Sequence, residues 1–197
     1  MSEPERLDGR RARREQNVEA VVEAMLDLLG EGNLNPSAAA VAERSGVSLR
    51  SVFRYFDDMD ALTELAIARQ MERAGQYFDL LDATGSVEDR ASALAAQRLL
   101  QHRNLAPYAR AAMVRAHQYP AVAKGLATRR DALRRQVEAL FAPELEERSS
   151  RDRDEVLAAL EAVTSIEVVE TMVAHRGLTP ARVEAVLTRT VLSVLRG

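Results

Sequence analysis

The chain has 197 residues, 47% of them hydrophobic, enough to bury a core as one large or two small domains; it has no cysteine, which excludes disulfides, thiolate nucleophiles and cysteine metal sites. A formal net charge of -3 excludes a general polycation, so any nucleic-acid site must be a local concentration of positive charge. The segment MSEPERLDGRRARRE is charged and leads into no apolar run of signal-peptide or membrane-span length, so the expected location is the cytoplasm, with no membrane partner.

Arg6, Arg10, Arg11, Arg13 and Arg14 fall within nine positions, opposed there by Asp8 alone. Such a run is read either as a solvated tail or as a basic arm that reaches a groove or backbone of DNA. Val18, Val21, Val22, Met25, Leu28 and Leu29 recur at helical spacing and predict a helix over 17–31, stopped by Gly30 and Gly32. Asn35, Pro36 and Ser37 supply capping types and a first-turn proline for a short second helix running to about Arg44. Gly46 suits a left-handed turn and Ser48 caps a third helix ending near Phe56, with Val47, Val52 and Phe53 as its apolar face. From Asp60, Leu62, Leu65, Ala66, Tyr77, Phe78 and Leu81 predict one long helix, ended by ATGS at 83–86. Further helices are expected over 87–102, 106–118, 121–141, 152–175 and 180–196, separated by Pro107, Pro120, Pro143, the polar stretch EERSSRDRD and Gly177. No strand pattern competes, and the expected fold class is all-α.

A helix-turn-helix needs a small residue where its helices touch, a glycine in the turn and apolar residues that pin the second helix. Ala42, Gly46 four residues later, and Val41, Val47 and Val52 meet those needs. The segment VAERSGVSLRSVFRYFDDMDAL, 41–62, resembles the DNA-binding signature of the TetR family of bacterial transcription regulators, in which a turn "GVS" precedes a recognition helix ending in an aromatic pair. About a quarter of the chain carries this resemblance. It implies an N-terminal three-helix helix-turn-helix domain with a basic arm over 1–58 and a C-terminal helical ligand-binding and dimerisation domain over 59–197. It also implies a homodimer on a near-palindromic operator in double-stranded DNA, acting as a repressor that answers an unidentified small-molecule effector. Many members carry a lysine shortly after the aromatic pair; this chain has Met59 inside the acidic run Asp57, Asp58 and Asp60, which is suited instead to capping the next helix.

The residue chemistry agrees. Ser48, Arg50, Ser51 and Arg54 lie along the start and exposed side of the third helix, where serine serves phosphate or base and arginine grips guanine through two bonds. Arg50 is the first choice for base reading. Tyr55 either places its hydroxyl on a phosphate or packs at the helix end, while Phe56 turns inward; Ser37 is placed to donate to a phosphate. Arg10, Arg11, Arg13 and Arg14 complete the candidate DNA-binding set.

Helices 152–175 and 180–196 are rich in Val, Leu and Ile and joined by a short glycine-containing turn, so they should pair antiparallel; in the TetR family the last two helices pair with their copies. Leu160, Val163, Glu167, Thr171 and Ala174 share one stripe of that long helix, which makes Glu167 and Thr171 candidate ligand groups, or a surface edge. Tyr108, Met113 and His117 are candidates for the same cavity, or for plain core and surface positions. His102, His117 and His175 are scattered without metal-ligand spacing, and no nucleophile elbow or phosphate loop is present, so no metal, cofactor or catalytic residue is expected. An all-helical enzyme and a helical protein-binding adaptor are the rival readings.

Overall fold

In the computed structural model the backbone is described over residues 3–79, 81 and 84–197, and side chains over 11–79, 81 and 84–197. Among the described residues every regular element is helical: α1 (Glu3–Gly30), α2 (Ala38–Ser45), α3 (Leu49–Tyr55), α4 (Met59–Arg73), α5 (Val87–Arg115), α6 (Pro120–Leu140), α7 (Ala142–Glu146), α8 (Ser150–Val163), α9 (Ile166–Glu170) and α10 (Pro180–Arg196). A 3-10 segment spans Ala74–Phe78 and a π-helical turn spans Thr171–His175. None of these helices is long and apolar enough to cross a membrane.

The chain divides into two compact units, one of Met1–Arg73 with Pro107–Leu126, the other of Ala74–Ala106 with Ala127–Gly197. The division therefore does not fall between 58 and 59. Leu62, Ala66 and Ile67 of α4 share a core with Val21, Met25 and Leu29 of α1, with Val41, Val47 and Val52, and with Ala111, Ala112 and Val122. Burying that apolar stripe of α4 draws it into the first unit. Arg44 grips Glu31 with both guanidinium arms, at 2.9 and 3.0 Å, and Arg69 meets Glu19 at 3.0 Å, tying α2 and α4 to α1. These pairs are half-exposed and fix orientation more than they add stability. Buried Arg115 donates to the Leu34 carbonyl at 2.9 Å, which holds the turn before α2.

Local chemistry sets the ends of the short helices. The Ser37 hydroxyl accepts from the Ala40 amide at 3.2 Å, the Ser48 hydroxyl from the Ser51 amide at 3.3 Å, and the Asp58 carboxylate from the Ala61 amide at 2.7 Å. The acidic run after Phe56 thus caps α4. Gly46 ends α2 at φ +68°, in the left-handed region where a Cβ is strained. Gly46→Ala is expected to lower stability by about 1 kcal/mol, seen as a lower midpoint in thermal unfolding; an unchanged midpoint would mean the turn can relax.

In the second unit the helix pairing runs antiparallel. Val156, Leu157 and Leu160 of α8 share a cluster with Val191 and Leu195, late in α10, whereas Val169 of α9 shares one with Val183 and Leu187, early in α10. Ala91, Leu94, Val137, Leu140 and Phe141 complete the larger cluster.

Four expectations are corrected. The basic stretch belongs to α1, which begins at Glu3, so it is a helical extension and not an arm. Helix α4 stops at Arg73, and Tyr77 and Phe78 lie in the 3-10 segment that follows. Helix α5 runs through Pro107, whose missing amide removes one ladder bond; the buried small residues around it, Ala106, Ala109, Ala111 and Ala112, hold the helix by packing. The segment expected as 152–175 is interrupted at Thr164 and Ser165: the Thr164 hydroxyl donates to the Leu160 carbonyl at 2.8 Å, and the Ser165 hydroxyl accepts from the Val168 amide at 3.3 Å, which caps a new helix.

Candidate nucleic-acid interface

Helices α2 and α3 are joined by a three-residue turn, 46–48, in which Gly46 supplies the left-handed step and Ser48 the cap. Val47 and Val52 are buried, and Tyr55 and Phe56 pack half-buried against the same core. The other side of α3 faces water. Leu49, Arg50, Phe53 and Arg54 stand one turn apart on it in two neighbouring rows, and all four are exposed. Phe53 is 54% exposed and Leu49 44%. Phe53 therefore does not belong to the apolar inner face of α3: with Val52 inside, its neighbour lies about 100° around the helix and points out.

Among the described residues the Arg50 side chain, exposed on α3, makes no hydrogen bond or ion pair, which leaves its donors for another molecule. Arg54 is held: one guanidinium nitrogen donates to the Tyr55 hydroxyl at 3.0 Å and to the Ser51 hydroxyl at 3.2 Å, and its carbon sits 5.0 Å from the Tyr55 ring centroid. Asn17 of α1 donates to the same tyrosine oxygen at 3.1 Å. The hydrogen bond from Asn17, then that from Arg54, holds the Tyr55 phenol below its ordinary range, with the nearby charges of Arg54 and Arg14 acting in the same direction. Two donors fill the acceptor side of this oxygen, so its own O–H is free to donate outward. Ser48 donates to the Ser51 hydroxyl at 3.0 Å.

Ser37, Ser48, Arg50 and Arg54 are exposed as expected, with Ser51 and Tyr55 half-exposed; Arg11, Arg13 and Arg14 are exposed on α1. Arg11 pairs with Glu15 at 3.0 Å. The Arg10 side chain lies outside the described residues. Asn17 and Leu49 carry no expected role from the sequence, and Phe53 was expected on the inner face of α3. The four-residue spacing of Leu49 to Phe53 and of Arg50 to Arg54 is the signal that joins them on one face.

Tyr108, Met113 and His117 belong to the first unit and Glu167 and Thr171 to the second. The Tyr108 hydroxyl lies against Gly30, close enough that a Cβ there would sit 2.8 Å from it, and the ring packs on the first unit's core. Met113 is half-buried and His117 exposed. Glu167 and Thr171 are exposed, the threonine hydroxyl donating to its own helix at the Glu167 carbonyl, 2.9 Å away. The break at 164–165 shifts the helical phase, so Glu170 turns inward instead and meets His102. Among the described residues no group of His, Cys, Asp and Glu is arranged to hold a metal ion.

No protein-family model matches the sequence, nor does any curated protein. Solved structures do. The chain is similar over 93% of its length to 96% of a transcriptional regulator from Rhodococcus sp. RHA1, with 19% identity and a TM-score of 0.68. It is similar over 92% of its length to 97% of a TetR transcription regulator from Haloarcula marismortui, with 16% identity and a TM-score of 0.67. A TetR transcriptional regulator from Rhodococcus sp. RHA1 matches 93% of the chain over 97% of its own, with 18% identity and a TM-score of 0.55. The all-α fold of this chain is that of these regulators.

Proposed function

We propose that the chain is a DNA-binding transcription regulator of the TetR type that acts as a homodimer on a near-palindromic operator in double-stranded DNA. One observation carries the reading: a capped helix, seated behind a left-handed glycine turn, whose outer face holds Arg50, Phe53 and Arg54 beside the hydroxyl of Tyr55. Such a helix fits the major groove. Arg50 reads a guanine edge through two bonds. Leu49 and Phe53 meet thymine methyl groups, a contact that suits exposed apolar side chains beside base edges. Arg54, Tyr55, Ser37, Ser48 and Ser51 engage phosphates and fix the register, and Arg10, Arg11, Arg13 and Arg14 add backbone contacts from α1.

In this reading the second unit binds a small-molecule effector whose unequal affinity for DNA-competent and incompetent states relieves repression. Helices α8 to α10 pair with a second copy. Helix α10 buries Val183, Leu187, Val191 and Leu195 and keeps Val186, Leu192 and Val194 half-exposed, apolar surface that a partner would cover. The chain works in the cytoplasm without enzymatic activity of its own.

Footprinting on DNA flanking its gene should protect two inverted half-sites spaced about one helical turn, or a multiple, apart, and sedimentation should give the mass of two chains. Protection lacking inverted symmetry would count against the dimer, and no protected sequence at all against the regulator.

A further inference from the structure

The second unit contains a buried cation with no carboxylate partner among the described residues. Arg98, on the inner side of α5, is 3% exposed. Its Nη1 donates to the amide oxygen of Gln136 at 2.6 Å, with the oxygens of Gln97 at 3.2 Å and Gln101 at 3.3 Å also in reach. Those amides are turned oxygen-first toward the arginine by backbone carbonyls behind them: Gln101 donates to the carbonyl of Tyr77, Gln136 to that of Asp79, and Gln97 to the same Asp79 oxygen at 3.4 Å. Three neutral acceptors thus hold one arm of the fork in place. The opposite edge, Nε with Nη2, is buried and has no hydrogen-bond partner among the described residues.

The other buried arginines leave Nε alone unpaired among the described residues. Arg90 spends both terminal nitrogens on Glu144 and the Leu140 carbonyl, and Arg115 spends its own on Leu34 and Asn35. Glu170 of the second unit is engaged by His102. Desolvation pushes Arg98 down to about 10, so it remains charged at neutral pH. Folding alone gains little from burying a guanidinium with one edge unpaired, since an apolar side chain of that volume is often as stable or more so in its place.

We infer that the Nε–Nη2 edge of Arg98 anchors a ligand site in the second unit for a small organic carboxylate. Those two nitrogens present parallel N–H groups on one side of a rigid plane, which matches the two oxygens of a carboxylate. A single positive charge among uncharged amides suits one negative charge. Leu94, one turn before Arg98 on α5, and Leu105, two turns after it, are buried and suit an apolar body on that acid. The inference rests on the second unit being an effector domain, whereas the site itself is independent of whether α3 reads DNA.

Benzoate and octanoate serve as probes on the full chain, with benzamide, octanamide and inorganic phosphate beside them. The carboxylates are expected to raise the thermal midpoint and to bind in calorimetry, and the amides to do neither. Arg98→Met should fold with an unchanged or higher midpoint without ligand and lose the carboxylate response. Arg98→Lys, which keeps the charge but not the fork, should bind at least about tenfold more weakly, and it decides the matter if Arg98→Met does not fold. Absence of any carboxylate response in the wild type, an equal response to phosphate or the amides, or undiminished binding by Arg98→Lys would overturn the assignment. Operator binding measured without ligand separates that failure from failure of the regulator reading.

Discussion

Replacing Arg50 and Arg54 together by alanine is expected to abolish specific DNA binding while leaving the fold intact. Arg50, making two bonds to a base, is worth about 1–3 kcal/mol of discrimination, and the charged phosphate contact of Arg54 adds about 1.5–3 kcal/mol, so the pair should cost roughly 10²-fold to 10⁴-fold in affinity. Both side chains are exposed, and substitutions at such positions usually change stability by less than about 0.5 kcal/mol. Anisotropy titration of the footprinted operator, run beside thermal unfolding of the same variant, checks both halves. The single variants should differ in kind. Arg50→Ala should relax base preference at one position of each half-site. Tyr55→Phe, which removes only the hydroxyl that Asn17 and Arg54 orient, should weaken binding by a similar factor on every sequence. Wild-type affinity in the double variant would remove α3 as the reading surface.

The second large effect concerns stability. Arg90 has only 7% of its side chain exposed, and Glu144 meets it through two bonds of 2.5 and 3.0 Å. Glu144→Gln leaves that guanidinium without its counter-charge, which costs about 3 kcal/mol, the low end for breaking a buried pair, because Glu144 keeps 24% of its side chain in water. A fall of several degrees in the unfolding midpoint is expected, and an unchanged midpoint would show that the pair contributes nothing. The hydrogen bond from Arg90 outweighs desolvation and holds the Glu144 carboxyl below its ordinary value of 4.5. A carboxyl depressed in the folded state binds its proton more readily when unfolded. Its contribution is therefore complete above pH 4.5 and is lost as pH falls through the depressed folded value. Glu144→Gln should flatten that part of the acid-unfolding curve. Arg90→Met combined with Glu144→Leu, which removes both charges, should recover much of the loss.

The elements that could be read from the sequence are those that local chemistry sets. Ser37, Gly46 and Ser48 cap or turn the backbone within three residues of themselves, so α2, α3 and the turn between them follow from residue types alone. The outward aim of Arg50 and Arg54 follows from the same short helix once Val52 faces in. Where two readings of one pattern compete locally, the sequence is silent. Val52 and Phe53 are adjacent apolar residues on a seven-residue helix, and only the core of α1 and α4 decides that the valine is buried and the phenylalanine is not. Thr164 and Ser165 sit inside an apolar repeat that continues on both sides, and their hydroxyls shift its phase enough to exchange Glu167 for Glu170.

By itself, then, the sequence determined an all-helical chain with a capped helix-turn-helix near its start, because periodicity and capping act over three or four residues. Packing between distant segments decided the rest. Residues 107–126 join the first unit because their alanines and Val122 complete its core, a fact that no spacing within them announces. Arg98 looks like any other arginine until Gln136, 38 residues on, and the carbonyls of Tyr77 and Asp79 fold around it. A buried charge is defined by what surrounds it, and those surroundings exist only in the tertiary structure.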